Sequence, residues 1–167
     1  MHDELTKKDL QMMKEELDYR RIQLRPQLLE AVKEARAFGD LSENFEYKAA
    51  KQEKNRNEGR IRYLENMIKT ARVLKEEGPA DGVNLYDKVT VYLEDEDDTE
   101  TYQVVTTMRQ DALHGLISKE SPVGKALLGR RVGETVHIQV NENYGYDARI
   151  LSIEKGEDDG SIPLRGY

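Results

Sequence analysis

Two different hydrophobic periods divide the chain. Up to Gly39, the apolar residues Leu10, Met13, Leu17, Leu24, Leu28, Val32, Ala35 and Phe38 recur mostly at gaps of three, four or seven. That spacing puts them on one stripe of a helix. Pro26 falls inside the pattern. It lacks an amide donor and crowds the preceding turn, so a kink or a local adjustment is predicted there. A second stripe follows at Tyr47, Ala50, Lys54, Asn57, Ile61, Leu64, Ile68 and Ala71, an a/d seam held for more than three heptads. Lys54 and Asn57 make the half of this seam nearer the turn more polar than its base. Two helices of roughly 31 residues, each about 45 Å long, are expected. The link Gly39-Asp40-Leu41-Ser42 is too short for anything but an antiparallel return. Only one stripe per helix is apolar, which argues against a larger bundle. The predicted product is an antiparallel coiled-coil hairpin over 1–77 with its tip at 39–47.

Beyond a breaker cluster at 78–82, Gly-Pro-Ala-Asp-Gly, the period shortens. This cluster reads as a linker. Lys88–Leu93 and 101–105 alternate or run β-branched around an acidic turn, and 135–140 with 146–153 form a second such pair. Ser121-Pro122, then 123–128, then Gly129 spell a short helix with an N-cap, a proline at its first position and a closing glycine. The second part, 83–155, is therefore expected to be a small antiparallel sheet with one short helix, making the whole chain α+β. The tail 156–167 has no period and reads as a loose extension.

Charge follows the same division. The net charge of -7 (26 basic, 33 acidic) conceals a first part, 1–76, with 17 basic and 15 acidic residues, and an acidic remainder with 9 and 18. A hydrophobic share of 37% is low for one compact globule but suits a two-helix hairpin. The chain has no Cys. That excludes disulfide frameworks, thiolate zinc sites and cysteine nucleophiles, and it fits a reducing compartment. The N-terminus has acids and no apolar core of a secretory signal, so a cytoplasmic location is expected.

The tip carries the most informative stretch, Gly39-Asp40-Leu41-Ser42-Glu43-Asn44-Phe45-Glu46-Tyr47. Asp40 followed three residues later by Glu43 fits a capping box at a helix start. It also fits metal binding by hard oxygen ligands of the kind Mg²⁺ takes, with one or two protein carboxylates and the rest supplied by water or phosphate. Two carboxylates on an exposed tip cannot make a tight site alone, so catalysis would need a partner to complete it. Arg20, Arg21 and Arg25 on the first helix and Lys48, Lys51, Lys54 and Arg56 on the second are either a solvated face balanced by glutamates or a surface for nucleic acid.

The run 39–51, GDLSENFEYKAAK, resembles the tip signature of the bacterial Gre family of transcript cleavage factors. Leu24-Arg25-Pro26 and Glu58-Gly59-Arg60-Ile61 with Leu64-Glu65 resemble its two helices, and 118–132, SKESPVGKALLGRRV, resembles the signature of its FKBP-like C-terminal domain. The resemblance covers roughly residues 5–155. It implies a transcription elongation factor that binds RNA polymerase and reaches its active centre through the secondary channel. There Asp40 and Glu43 would help hold a Mg²⁺ shared with the polymerase, and the polymerase would hydrolyse the 3′ end of backtracked RNA. No independent nuclease activity is expected. Ser42, Asn44, Phe45 and Tyr47 match tip positions and are expected to support the tip or touch the partner. A basic patch on the hairpin is implied to meet the RNA 3′ end. Some members of the family block the channel instead; retention of both Asp40 and Glu43 favours cleavage.

The sequence departs from the family pattern at Phe45, where a small residue is expected, at 141–146, where a glycine-containing turn is usual, and in the tail. The acidic run 94–100 does not match a Ca²⁺ loop and reads as a solvated turn. His2, His114 and His137 are dispersed and form no HExxH motif. The self-paired hairpin makes a monomer the simplest expectation for the free protein.

Overall fold

The computed structural model describes residues 2–39, 43–75 and 78–166. They divide into two compact units: residues 10–71, and residues 3–9 together with 72–166.

The first unit is the helical hairpin. Its first arm runs without interruption through α1 (Lys7–Tyr19), a π-helical turn (Arg20–Leu24) and α2 (Arg25–Arg36); its second arm is α3 (Phe45–Thr70). The π turn is how the helix accommodates Pro26. The Arg25 amide donates to the Arg20 carbonyl, five residues back, and Pro26 sits in the first turn of α2. Widening the turn keeps the pyrrolidine ring off the carbonyl it would otherwise strike, so the helix bulges instead of breaking.

Much of the predicted seam is buried: Met13, Leu17, Val32 and Ala35 on the first arm, and Ile61 and Leu64 on α3. At the end of α3 Met67 is buried where the seam predicts Ile68, and Ile68 is only partly so. Asn57 is buried as well, and its polar atoms are satisfied at the bulge: its Oδ1 accepts from Arg20 Nη1 at 2.9 Å, and its Nδ2 donates to the Arg20 carbonyl at 3.4 Å. Phe38, assigned to the stripe by its spacing, is instead 75% exposed. The last hydrogen-bonded turn of α2 ends just before it, with Ala37 as its C-cap, so the helical register that would carry Phe38 inward stops short.

The second unit centres on a five-stranded sheet in the order β5-β4-β3-β7-β6, formed by β3 (Lys88–Leu93), β4 (Asp98–Val105), β5 (Leu116–Ser118), β6 (Thr135–Asn141) and β7 (Tyr144–Glu154). Alternation in β3 drives Val89, Val91 and Leu93 into the core, where they meet Val104, Val136, Ile138, Ala148 and Ile150. Three of the four strand pairs are antiparallel, as predicted; the edge pair β4·β5 runs parallel. At three residues, β5 is too short to leave a periodic trace in the sequence.

Helix α4 (Pro122–Leu127) covers the core with Leu127. Ser121 caps it, accepting from the Gly124 amide at 3.0 Å, and Gly129 leaves it at φ +81°. A side chain at Gly124 would collide with the Ser118 carbonyl, which fixes glycine at that position.

Residues 3–9 also belong to this unit. β1 (Glu4–Leu5) pairs in parallel with β2 (Arg72–Val73). Thr6 and Asp9 form a reciprocal capping box at the start of α1: the Thr6 amide donates to Asp9 Oδ2 at 3.0 Å, and the Asp9 amide to Thr6 Oγ1 at 3.1 Å. The other Asp9 oxygen accepts from the fully buried Arg109 at 2.9 Å.

Arg109 also binds Asp158 through two hydrogen bonds, at 2.7 and 2.8 Å, and donates from Nε to the Ile162 carbonyl at 2.7 Å. The tail is therefore not the loose extension its sequence suggested. It is docked on a buried guanidinium whose partners lie 49 and 100 residues away in sequence. Burial works against the charge of Arg109, but the bonds from Asp158 and Asp9 outweigh it and raise its pKa. Burial likewise opposes ionisation of Asp158, and Arg109 overcomes that and holds its pKa low.

Candidate functional site: the hairpin tip

Helix α3 begins at Phe45 with Asn44 as its N-cap. Asn44 Oδ1 accepts from the Tyr47 amide at 3.0 Å, and its Nδ2 donates to the Ala35 carbonyl at 2.6 Å. One side chain thus satisfies a free amide at the start of α3 and a carbonyl near the end of α2. This corrects the capping alternative read from Asp40 and Glu43: the cap lies at Asn44, and Glu43 precedes the helix. Glu43 is exposed in the turn. Asp40 and Ser42 lie outside the described residues.

Tyr47 is half-buried, and its ring ties the two arms together. The Arg36 guanidinium lies 5.4 Å from the ring centroid, with Nη2 3.5 Å from the hydroxyl, and Lys51 lies 5.9 Å from the same ring. Contact with Arg36 leads the influences that lower the Tyr47 pKa, and the charges of Lys51 and Lys54 act in the same direction. Phe45 is different. It is 79% exposed, with the Lys48 ammonium 5.7 Å from its centroid. Phe38 and Phe45 are the two phenylalanines of the chain, and both stand at the tip. With Glu43, Asn44 and Glu46 they line a shallow depression of about 530 Å³.

The structure sorts the basic residues. Arg20 binds Glu16 at 2.8 Å, Arg21 binds Glu65 at 2.8 Å, and Arg25 binds Glu58 at 2.9 Å. Arg60 grips Glu16 through two bonds, at 2.8 and 3.2 Å. Arg56 meets Glu53 at 3.4 Å. These are the balanced face. Arg36, Lys48, Lys51 and Lys54 make no ion pair among the described residues, and the first three contact aromatic rings instead. Arg36 escaped the sequence reading because it precedes the tip signature; its distance in sequence from Tyr47 hides their contact.

Among the described residues, no group of three or more His, Asp or Glu side chains comes together to hold a metal ion. Glu43 offers an exposed carboxylate, of a kind that suits an ion whose other ligands a partner completes. No helix among the described residues is long and apolar enough to cross a membrane.

Two family profiles match the chain: "Transcription elongation factor, N-terminal" over residues 4–73, and "Transcription elongation factor, GreA/GreB, C-term" over residues 78–155. Transcription elongation factor GreA of Thermoanaerobacter pseudethanolicus is 44% identical over 152 residues, which is 90% of this chain and 96% of that protein. GreA of Bacillus subtilis is 40% identical over 135 residues, 81% of this chain and 86% of that protein. The crystal structure of the GreA factor homolog Gfh1 of Thermus thermophilus covers 93% of this chain and 100% of its own, at 28% identity and a TM-score of 0.44.

Proposed function

The chain belongs to the GreA/GreB family of transcription elongation factors, and from that membership we propose that it binds RNA polymerase, enters the secondary channel and stimulates cleavage of backtracked RNA. The observation that carries this reading is the division of labour at the tip. Asn44 does the structural work of capping α3 and fastening it to α2. Glu43, next to it and exposed, is left free of that task. An exposed carboxylate that takes no part in capping α3 among the described residues supports a role for Glu43 outside its own fold.

Glu43, with Asp40 beside it in the matching motif, would contribute carboxylate oxygens to a Mg²⁺ shared with the polymerase. Such an ion, when bound, lowers the pKa of a coordinated water and so supplies the nucleophile for phosphodiester hydrolysis. This chain's own part is to orient those oxygens and to bring cations near the RNA. Arg36, Lys48, Lys51 and Lys54 are the side chains available for that, because their charges are not neutralised by neighbouring carboxylates among the described residues.

The test is to add the protein to stalled, backtracked polymerase complexes and follow the RNA. Short 3′ fragments that disappear with Glu43→Gln or Asp40→Asn, while binding persists, support the proposal. Binding that slows transcription without fragments would assign the protein to the channel-blocking members instead.

A further inference from the structure

We propose that Phe45 is a stacking platform for an unpaired base at the 3′ end of the extruded RNA, and so a positioning residue for the cleavage proposed above, on which this inference rests. Three observations carry it. The ring of Phe45 is 79% exposed at the first residue of α3, although phenylalanine is a side chain that burial ordinarily stabilises. The second aromatic of that helical turn, Tyr47, is occupied by Arg36 and Lys51, whereas among the described residues Phe45 carries only the Lys48 ammonium at its ring. Finally, the cations around these rings have no carboxylate partners among the described residues.

An exposed ring flanked by unneutralised cations is the arrangement by which proteins hold single-stranded nucleic acid. The ring stacks on a base of any identity, and the cations meet the flanking phosphates. An apolar protein surface would satisfy the ring but leave Lys48, Lys51 and Arg36 without anionic partners, whereas a nucleotide supplies a base and phosphates together. Charge complementarity therefore selects the polyanion. Stacking at Phe45 would fix the terminal nucleotide beside Glu43, two residues away, and so set the scissile bond against the carboxylate.

The experiment uses full-length protein and backtracked polymerase complexes carrying 2-aminopurine at the extruded 3′ position, whose fluorescence falls when a ring stacks on it. Wild-type protein and Phe45→Tyr should quench it; Phe45→Ala should not. In parallel, Phe45→Ala should raise the protein concentration needed for half-maximal cleavage by roughly tenfold, the scale of one base–aromatic stack. An abasic 3′ nucleotide should bring the wild type to the level of Phe45→Ala.

Equal quenching by wild type and Phe45→Ala would overturn the proposal. So would a Phe45→Ala defect that persists on abasic RNA, because the ring would then be meeting the polymerase. A Phe45→Tyr variant as weak as Phe45→Ala would overturn it too. Wild-type protein that binds and quenches without producing fragments would sustain the stacking and defeat the cleavage reading. Wild-type protein that fails to bind the complexes would defeat both.

Discussion

The two ends of the hairpin use the same residue types for opposite purposes. At the base, arginines are neutralised: Arg60 and Arg20 converge on Glu16, Arg21 meets Glu65, and Arg25 meets Glu58. Leu64 and Met13 there are wholly buried. At the tip, Phe38 and Phe45 point into solvent, and Lys48, Lys51, Lys54 and Arg36 lack carboxylate partners among the described residues. The base pairs its arginines with carboxylates, whereas the tip cations have no such partners among the described residues. Ion pairing is thus concentrated away from the turn, and exposed rings with cations that lack carboxylate partners among the described residues lie beside it.

Substitution should expose this asymmetry. The largest expected effect is at the base. Leu64→Ala removes a fully buried side chain and should cost about 2–5 kcal/mol in denaturant unfolding followed by helical circular dichroism. Phe45→Ala deletes a larger side chain and should stay within about 0.5 kcal/mol of wild type, because the ring is exposed. A large loss at Phe45 would break the comparison.

Next in size is the Glu16 junction. Arg60→Met leaves a half-buried Glu16 with only Arg20 and should cost about 1–3 kcal/mol, whereas Lys51→Met at the tip should be close to neutral. Asn44→Ala should cost about 1 kcal/mol for the cap. Asn44→Asp should recover the bond accepted from the Tyr47 amide but not the one donated to Ala35. Asp40→Ala should leave the cap of α3 intact.

Acid is the mildest probe. Burial opposes ionisation of Glu16, but Arg60 and Arg20 outweigh it and lower its pKa; Asp158 is lowered by Arg109 in the same manner. Because both folded-state values lie below the unfolded ones, each group contributes its full stabilisation above the ordinary carboxylate range. It loses that contribution as pH falls below about 4 and through the folded-state value. A pH titration of thermal midpoints should show this decline. It should shrink at the hairpin in Glu16→Gln and in the sheet unit in Asp158→Asn.

What the sequence could reveal depended on whether a feature was local. Met13, Leu17, Ile61 and Leu64 announce the seam because their spacing repeats within one helix. Val89, Val91 and Leu93 announce a strand in the same manner, and Ser121-Pro122 with Gly129 delimit α4 from its ends. Pro26 signalled a disturbance, but only the bond from the Arg25 amide to the Arg20 carbonyl shows that it is a π turn. The docking of the tail was invisible, because Asp9, Arg109 and Asp158 meet through the fold and share no pattern. At the tip, the motif named the residues but not their tasks. Asp40, Glu43 and Asn44 all suit a helix N-terminus by composition, and the hydrogen bonds of Asn44 alone distinguish which of the three caps α3. The partners of each cation were equally non-local, so a balanced face and an unbalanced one looked alike in sequence.

The central claim is that the tip is held by Asn44 so that Glu43 can serve another protein's active site. Its most direct test is the rate of RNA cleavage in backtracked polymerase complexes with Glu43→Gln, measured at saturating protein. The account predicts unchanged unfolding and unchanged binding, with cleavage reduced on the order of a hundredfold, the scale lost when one charge-stabilising group is removed from an active site. Wild-type cleavage by Glu43→Gln, or a loss of cleavage that merely follows a loss of folding, would contradict it.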